Sequence, residues 1–278
     1  MSAAPKRFDL SGKTALVTGA SQGIGRGIAI ALAEHGADIA IVDRAAEQET
    51  EKVAAHIRTL GRKAWVYRQD IAQSEQLAAI ADRVWTDAGK IDILVNNAGM
   101  AYLERFNLIT IEHWRRIFAV NVEGVFFLTQ RIAERMIAAG IKGRIINVSS
   151  KNGFVAEAGL AHYNATKGAI ELLTRTLAIE LGQHGITANT IAPGCIQTEI
   201  GHDFAFDSKG FEPYCQEHIP LGRLGTVEDC AGIVVFLASP AAAYINGQHI
   251  INDGGVLAEQ MPRMQFMPPY KNTVAKKA

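Results

Sequence analysis

Short apolar runs rich in valine and isoleucine alternate along the chain with longer stretches in which apolar residues recur at helical spacing. The runs at 14–18, 39–42, 64–67, 92–95, 145–148, 186–191 and 249–251 predict seven strands. The helical period predicts helices over 24–34 and 47–60, over 74–87 with Ser74 as the cap, over 112–138 with a bend at Gly124, and over 158–181. Strands that are apolar throughout are buried on both faces, which calls for parallel pairing between two layers of helices. The pattern therefore predicts an α/β fold: one doubly wound Rossmann-type domain over 1–255, with a seven-stranded parallel sheet flanked by helices. Two stretches break the rhythm, one over 194–220 and one over 256–278. In the second, Met261 to Tyr270 holds three methionines, two aromatics and three prolines. The prolines forbid a regular helix there. An extended path across a subunit interface is expected, because methionine and aromatic side chains make adaptable apolar contacts.

Composition narrows the partners. Of 278 residues, 48% are apolar, enough for a full core, and 20% are charged, too few for a disordered chain. Lysine plus arginine (28) equals aspartate plus glutamate (28), and no basic patch stands out, so neither nucleic acid nor an anionic membrane is an expected partner. Zero net charge favours self-association. Cys195, Cys215 and Cys230 are scattered, and neither they nor the eight histidines show a metal-ligand spacing. No metal is expected, and free thiols point to the cytoplasm. Met1 to Leu10 lacks an apolar core, and no run of eighteen apolar residues occurs, so neither a signal peptide nor a membrane span is expected.

The turn after the first predicted strand reads Thr18-Gly19-Ala20-Ser21-Gln22-Gly23-Ile24-Gly25. Gly19 permits a tight turn, Gly23 lets backbone approach a pyrophosphate, and Gly25 allows close helix packing. The N–H groups and positive dipole end of the following helix then face the phosphates. Asp43 ends the second strand, where a carboxylate accepts hydrogen bonds from the adenosine ribose and repels a 2′-phosphate. The alternative is that Asp43 caps the next helix. Arg44 has two readings, a 2′-phosphate partner or a cover for the adenine face. Gln22 is neutral where a basic residue would favour NADP, so NAD is the expected cofactor and NADP the second choice.

Tyr163 and Lys167 form a YxxxK pair on a predicted helix, where residues four apart share a face. An ammonium beside a phenol stabilises the phenolate and brings it toward use as a proton-transfer group. Around the pair stand Ser150 in Asn147-Val148-Ser149-Ser150, Asn97-Ala98-Gly99 after the fourth strand, Asn121 in a helix, and Pro193-Gly194 after the sixth strand. All but Asn121 fall at or beyond carboxyl ends of strands, where open α/β sheets bind ligands.

With these motifs together the chain resembles the short-chain dehydrogenase/reductase family, over about residues 10–256. The resemblance implies a catalytic tetrad of Asn121, Ser150, Tyr163 and Lys167. In it Ser150 holds the substrate oxygen, Tyr163 transfers the proton, Lys167 binds the nicotinamide ribose, and Asn121 holds a water of a proton relay. Spacing to Tyr163 favours Ser150 over its neighbour Ser149. The resemblance further implies cofactor contacts from Ser21, Ile24, Asp70, Ile71, Asn97, Ala98, Gly99, Pro193, Ile196 and Thr198. It makes 194–220 the substrate loop, with Gly194 and His202 beside the substrate. Lys151 and Asn152 follow the serine directly, and polar groups around a small pocket suit a sugar, polyol or aldonate; the alternative is that Lys151 faces water. The expected activity is hydride transfer between NAD(H) and a secondary alcohol or ketone. Two alternatives stay open: an NADPH-dependent 3-oxoacyl thioester reductase, and a non-catalytic nucleotide-binding scaffold. Apolar residues on several faces of the two long helices, among them Ile117, Phe118, Phe126, Phe127, Leu128, Ile170, Leu172, Leu173, Leu177 and Ile179, predict a homotetramer.

Overall fold

The computed structural model describes residues 7–198 and 217–258. His202, Cys215, most of the predicted substrate loop and the segment Met261 to Tyr270 lie outside the described residues.

Seven strands pair in parallel: β1 (Thr14–Thr18), β2 (Asp38–Asp43), β3 (Ala64–Arg68), β4 (Ile93–Asn96), β5 (Arg144–Val148), β6 (Thr187–Pro193) and β7 (His249–Asn252). Their spatial order is β3-β2-β1-β4-β5-β6-β7. The chain winds outward from β1 in one direction, returns, and winds outward from β4 in the other. The carboxyl ends of β1 and β4 thus open the crevice that such sheets use for ligands.

Strand residues divide by the two-residue period. Ala15, Val17, Ile39, Ile41, Ile93 and Val95 pack with α1 (Gly23–Glu34), α2 (Glu47–Thr59) and the last helix. Leu16, Ala40, Val42 and Leu94 pack with α3 (Leu77–Ala88), α5 (Gly124–Ala138) and α6 (Ala161–Gly182) on the other face. The last helix, α7 (Val227–Ala238), is absent from the sequence expectation. Its signal was there: Thr226 and Asp229 form a reciprocal capping box, with each side chain accepting the other's backbone N–H.

The long helix expected over 112–138 is three pieces. α4 (Ile111–Phe118) runs into a π-helical turn, Ala119–Glu123, and then into α5. Gly124 follows the π turn because the Ile71 carbonyl abuts it; a Cβ there would lie 2.4 Å from that oxygen. Ser74 is not a helix cap. It begins a short 3-10 turn, and its hydroxyl donates to Glu123 Oε1 at 2.6 Å. Beneath the crevice runs a buried polar ladder. Asn96 and Asn147 are cross-strand partners on β4 and β5. Asn96 Nδ2 donates to Asn147 Oδ1 and to Thr129 Oγ1, each at 2.8 Å, and Asn147 Nδ2 donates to Thr174 Oγ1 at 2.8 Å.

Candidate active site

Gly19 takes a left-handed φ of 67°, and a Cβ there would meet Ala98 Cα at 2.8 Å. Gly25 leaves even less room, since its Cβ would lie 2.2 Å from the Gly19 carbonyl oxygen. Asn97 locks this turn from below: its Nδ2 donates to Thr18 O at 3.0 Å and to Gly19 O at 2.9 Å. The first turn of α1 carries no acidic residue, and its N-cap, Gln22, makes no side-chain bond to it. Gly23, Ile24 and Gly25 therefore present N–H groups that no side chain satisfies, a ready anion site. Ser21, Gln22, Arg26, Asp43, Arg44, Ala45 and Glu49 line an adjoining groove of about 410 Å³. A cradle that tolerates no Cβ, a bare helix start and this groove fit a dinucleotide.

Asp43 caps neither α2 nor any other helix. Its Oδ2 accepts from Ser21 N at 2.9 Å and its Oδ1 from Ala45 N at 2.8 Å, which fixes the carboxylate at the rim of the groove. Asp70 accepts from Ala72 N at 3.0 Å and from Arg116 Nη2 at 2.6 Å. Burial alone would raise its pKa, but these bonds and the charges of Arg116 and Arg44 hold it below the ordinary value. Ile71 is buried next to it. Pro193 ends β6, Gly194 passes so close to Asp253 that a Cβ would meet its Cα at 2.6 Å, and Ile196 bridges to Gly225. Thr198 is the last described residue before the loop.

The four expected catalytic residues converge at the ends of β4 and β5. The two serines part. Ser149 is buried and turns its hydroxyl to Lys167 O at 3.5 Å, whereas Ser150 faces the Tyr163 phenol and draws its pKa down. Lys167 Nζ donates to Val148 O at 2.9 Å and stands 5.5 Å from the centre of the Tyr163 ring. Asn121 lies in the π turn, 2% exposed. Its Oδ1 accepts from Met100 N at 2.9 Å, while its Nδ2 donates to Met100 O at 2.9 Å and Thr166 Oγ1 at 3.1 Å. Both amide hydrogens are thus taken, and the side chain pins the loop after β4 to α6.

Sequence reasoning expected Lys167 to bring the Tyr163 phenol down toward working pH. The phenol is instead pushed up. Burial is the largest cause and the charge of Glu157 adds to it, while the Ser150 hydroxyl opposes. The ammonium is itself pushed down, to about 8, by burial, with the carboxylate of Glu171 opposing. Neither Glu157 nor Glu171 was singled out in the sequence, and neither belongs to a recognisable spacing.

Lys151 does not face water. It is 8% exposed, and its Nζ contacts Glu157 Oε1 at 3.0 Å and Asn152 Oδ1 at 3.1 Å. Asn152 Nδ2 donates to Glu157 Oε2 at 2.8 Å and to Asn164 Oδ1 at 3.0 Å, and its backbone N–H donates to Ser150 Oγ at 3.2 Å. With both amide hydrogens taken, Asn152 ties the serine turn to the start of α6. Among the described residues no cluster of histidine, cysteine, aspartate or glutamate could hold a metal.

A phenol, a hydroxyl and an ammonium gathered beside a dinucleotide cradle are the parts of a nicotinamide-dependent oxidoreductase. The family model described as "Enoyl-(Acyl carrier protein) reductase" matches residues 19–257. The chain is 40% identical over 247 residues to an L-rhamnose 1-dehydrogenase (NAD(P)(+)) of Sphingomonas sp. (strain SKA58), covering 89% of this chain and 97% of the relative. It is 38% identical over 255 residues to the gluconate 5-dehydrogenase of Gluconobacter oxydans, covering 91% and 97%. The crystal structure of a gluconate 5-dehydrogenase from Burkholderia cenocepacia J2315, in complex with NADP and tartrate, superposes with a TM-score of 0.86 at 38% identity, covering 91% of this chain and 98% of that one. The chain belongs to the short-chain dehydrogenase/reductase family, and it is an NAD(P)-dependent oxidoreductase acting on CH–OH groups.

Proposed function

We propose that this enzyme oxidises a secondary hydroxyl of a small polyhydroxylated substrate, a sugar, polyol or aldonate, with NAD as the preferred acceptor. The observation that carries the reading is the Ser150–Tyr163–Lys167 cluster at the sheet's crevice, in a chain whose relatives bear the names of rhamnose and gluconate dehydrogenases. NAD(P)+, when bound, supplies the hydride acceptor. Ser150 Oγ then donates to the substrate oxygen, and the Tyr163 phenolate accepts the alcohol proton. Lys167 offsets the negative charge of that phenolate, and Asn121 keeps the floor of the site fixed. The preference for NAD rests on Asp43, whose carboxylate, held by two backbone N–H groups at the rim of the groove, would repel a 2′-phosphate. Arg26 and Arg44 share that groove and make the discrimination modest.

The test is a panel of sugars, polyols, aldonates and acetoacetyl thioesters with each dinucleotide, followed by the absorbance of reduced nicotinamide. A thioester as best substrate, or NADP with the higher kcat/KM, overturns the corresponding part of the reading. Tyr163→Phe should lower kcat by several orders of magnitude with dinucleotide affinity nearly unchanged.

Self-association into a homotetramer belongs to the same proposal, with a change in its supporting residues. Ile117, Leu128 and Ile170 are covered within the subunit. Outward apolar side chains on these helices include Trp114, Phe126, Phe127, Leu172 and Ile179, the last two 66% and 80% exposed. A monomer in sedimentation at micromolar concentration refutes it. A cytoplasmic setting is also proposed. Cys230 is a buried thiol that accepts from Asn252 Nδ2 at 3.2 Å, and no helix among the described residues is long and apolar enough to cross a membrane.

A further inference from the structure

Glu171 stands one turn beyond Lys167 and two turns beyond Tyr163 on α6, so the three side chains leave the helix on one face. It is only 6% exposed. Its Oε2 accepts from the Thr190 hydroxyl on β6 at 2.9 Å and pairs with Nδ1 of His249 on β7. Arg175 Nε donates to His249 Nε2 at 2.7 Å. A guanidinium can only donate, so Nε2 is the accepting nitrogen and Nδ1 carries the proton that faces Glu171. The carboxylate is thus oriented from two strands. Its other oxygen, Oε1, is buried with no hydrogen-bond partner. Glu171 also abuts Gly153, where a Cβ would lie 2.9 Å from its Cγ and 3.2 Å from Oε1. Gly153 closes the turn that Ser150 opens, with Gly153 N donating to Ser150 O at 2.9 Å.

A buried carboxylate with an open oxygen calls for a nearby cation, and a buried ammonium without a counter-charge calls for a nearby anion. On this face of α6 the two groups stand one turn apart, close enough for the Glu171 charge to act on the ammonium. We propose that Glu171 is a positioning residue for the dehydrogenase reaction: held by Thr190 and His249, it keeps the Lys167 ammonium charged and steadies the turn that carries Ser150. The proposal rests on Tyr163 being the residue that transfers the proton.

The surrounding charges point the same way. Lys167 is faced by Tyr163 and Glu171 on its own helix and by the Val148 carbonyl of β5. Burial drives the ammonium down, and the Glu171 charge pushes back. Glu171 is faced by Lys167, Thr190 and His249, with Arg175 behind the imidazole; Tyr163 is faced by Ser150, Lys167 and Glu157. Neutralising Glu171 therefore leaves Lys167 less charged and the Tyr163 phenolate less stabilised, which moves the acid limb of alcohol oxidation to higher pH.

The experiment is the pH profile of kcat/KM for the best alcohol of the panel, in wild type, Glu171→Gln, Glu171→Asp, Thr190→Val and Tyr163→Phe. Glu171→Gln keeps the shape and removes the charge. It should lose about threefold or more in kcat/KM at pH 7.5, half a unit of limb displacement, and recover toward wild type on the alkaline side. Glu171→Asp should sit between the two. Thr190→Val, which removes a donor to the carboxylate, should shift the limb the same way by less, and it carries the test if Glu171→Gln does not fold. A loss equal at every pH, or an unmoved limb in the folded variants, overturns the proposal. An active Tyr163→Phe enzyme would instead overturn the reading of the proton-transfer residue, so the two failures are distinct.

Discussion

Replacing Gly25 by alanine tests whether the glycine turn is a rigid cradle. The new Cβ would lie 2.2 Å from Gly19 O and 2.3 Å from Asn97 Nδ2. Non-bonded carbon contacts settle near 3.5 Å, so the turn must retreat by about 1 Å. Neither neighbour is the loose end of a flexible side chain. Gly19 O is main chain, and Asn97 Nδ2 already donates to Thr18 O and Gly19 O. Overpacking of this kind costs about 1–3 kcal/mol, and the two strained hydrogen bonds about 1 kcal/mol each. The total is about 3–5 kcal/mol. If all of it appears in unfolding, Tm falls by roughly 10 °C for a chain of this size. If the turn instead relaxes locally, the loss appears in binding, and about 3 kcal/mol weakens the dinucleotide by roughly a hundredfold. Differential scanning fluorimetry and a calorimetric NAD titration read both channels. A Gly25→Ala protein within 2-fold of wild type in Kd, as an allowance set by ordinary context effects, and with unchanged Tm, would refute the rigid-cradle argument.

Gly232→Ala is the matched control: nothing lies within 4 Å of its Cβ on the exposed face of α7, so stability should rise by up to about 1 kcal/mol, read in urea melts. Lys151→Met removes the cation that balances Glu157, so the Glu157 charge acts more strongly on Tyr163; the acid limb should move to higher pH, and an unmoved limb would separate Glu157 from the phenol. Asp92 is buried, which alone would raise its pKa, but hydrogen bonds from Lys13, Lys90 and Thr14 N hold it below the ordinary value. Its contribution is therefore complete above the unfolded carboxylate pKa of about 3.9 and disappears as pH falls through the lower folded value. Asp92→Asn should cost about 1–3 kcal/mol at pH 7, discounted for two half-exposed lysines, and the gap to wild type should close in strong acid.

The sheet was legible because its strands are apolar on both faces, and the cradle because glycines at Gly19, Gly23 and Gly25 have few other uses between a strand and a helix. The tetrad was legible as spacing, and the structure brings its four residues to one crevice. What escaped was whatever depends on partners distant in sequence. The pH behaviour of Tyr163 could not be read from Lys167 alone, since Glu157 and burial set its direction. Asn152 follows Ser150 in sequence, but its bonds to Glu157 and Asn164, which tie the serine turn to α6, join residues that no spacing connects. Of the apolar residues on the long helices, Ile117, Leu128 and Ile170 are covered within the subunit while Phe126, Phe127, Leu172 and Ile179 are exposed, a division that periodicity does not give because it does not say how much of a helix a neighbouring helix covers. The π turn at Ala119–Glu123 breaks a period that the sequence reads as continuous.

The buried ladder of Asn96, Asn147, Thr129 and Thr174 bears on how the chain finds its structure. Nearly every other position in β4 and β5 is an interchangeable aliphatic, and aliphatic strands slide past one another with little penalty. A one-residue slip of β5 would turn Asn147 to the opposite face, away from Asn96 and Thr174. It would leave several amide and hydroxyl groups dry and unpaired, at about 1–3 kcal/mol apiece. The ladder acts as an alignment key for the two strands from whose ends Asn97 and Ser150 emerge. Misaligned sheets are rejected before a site can form on them, so a change such as Asn147→Val is expected to yield a mixture of registers rather than one weaker enzyme.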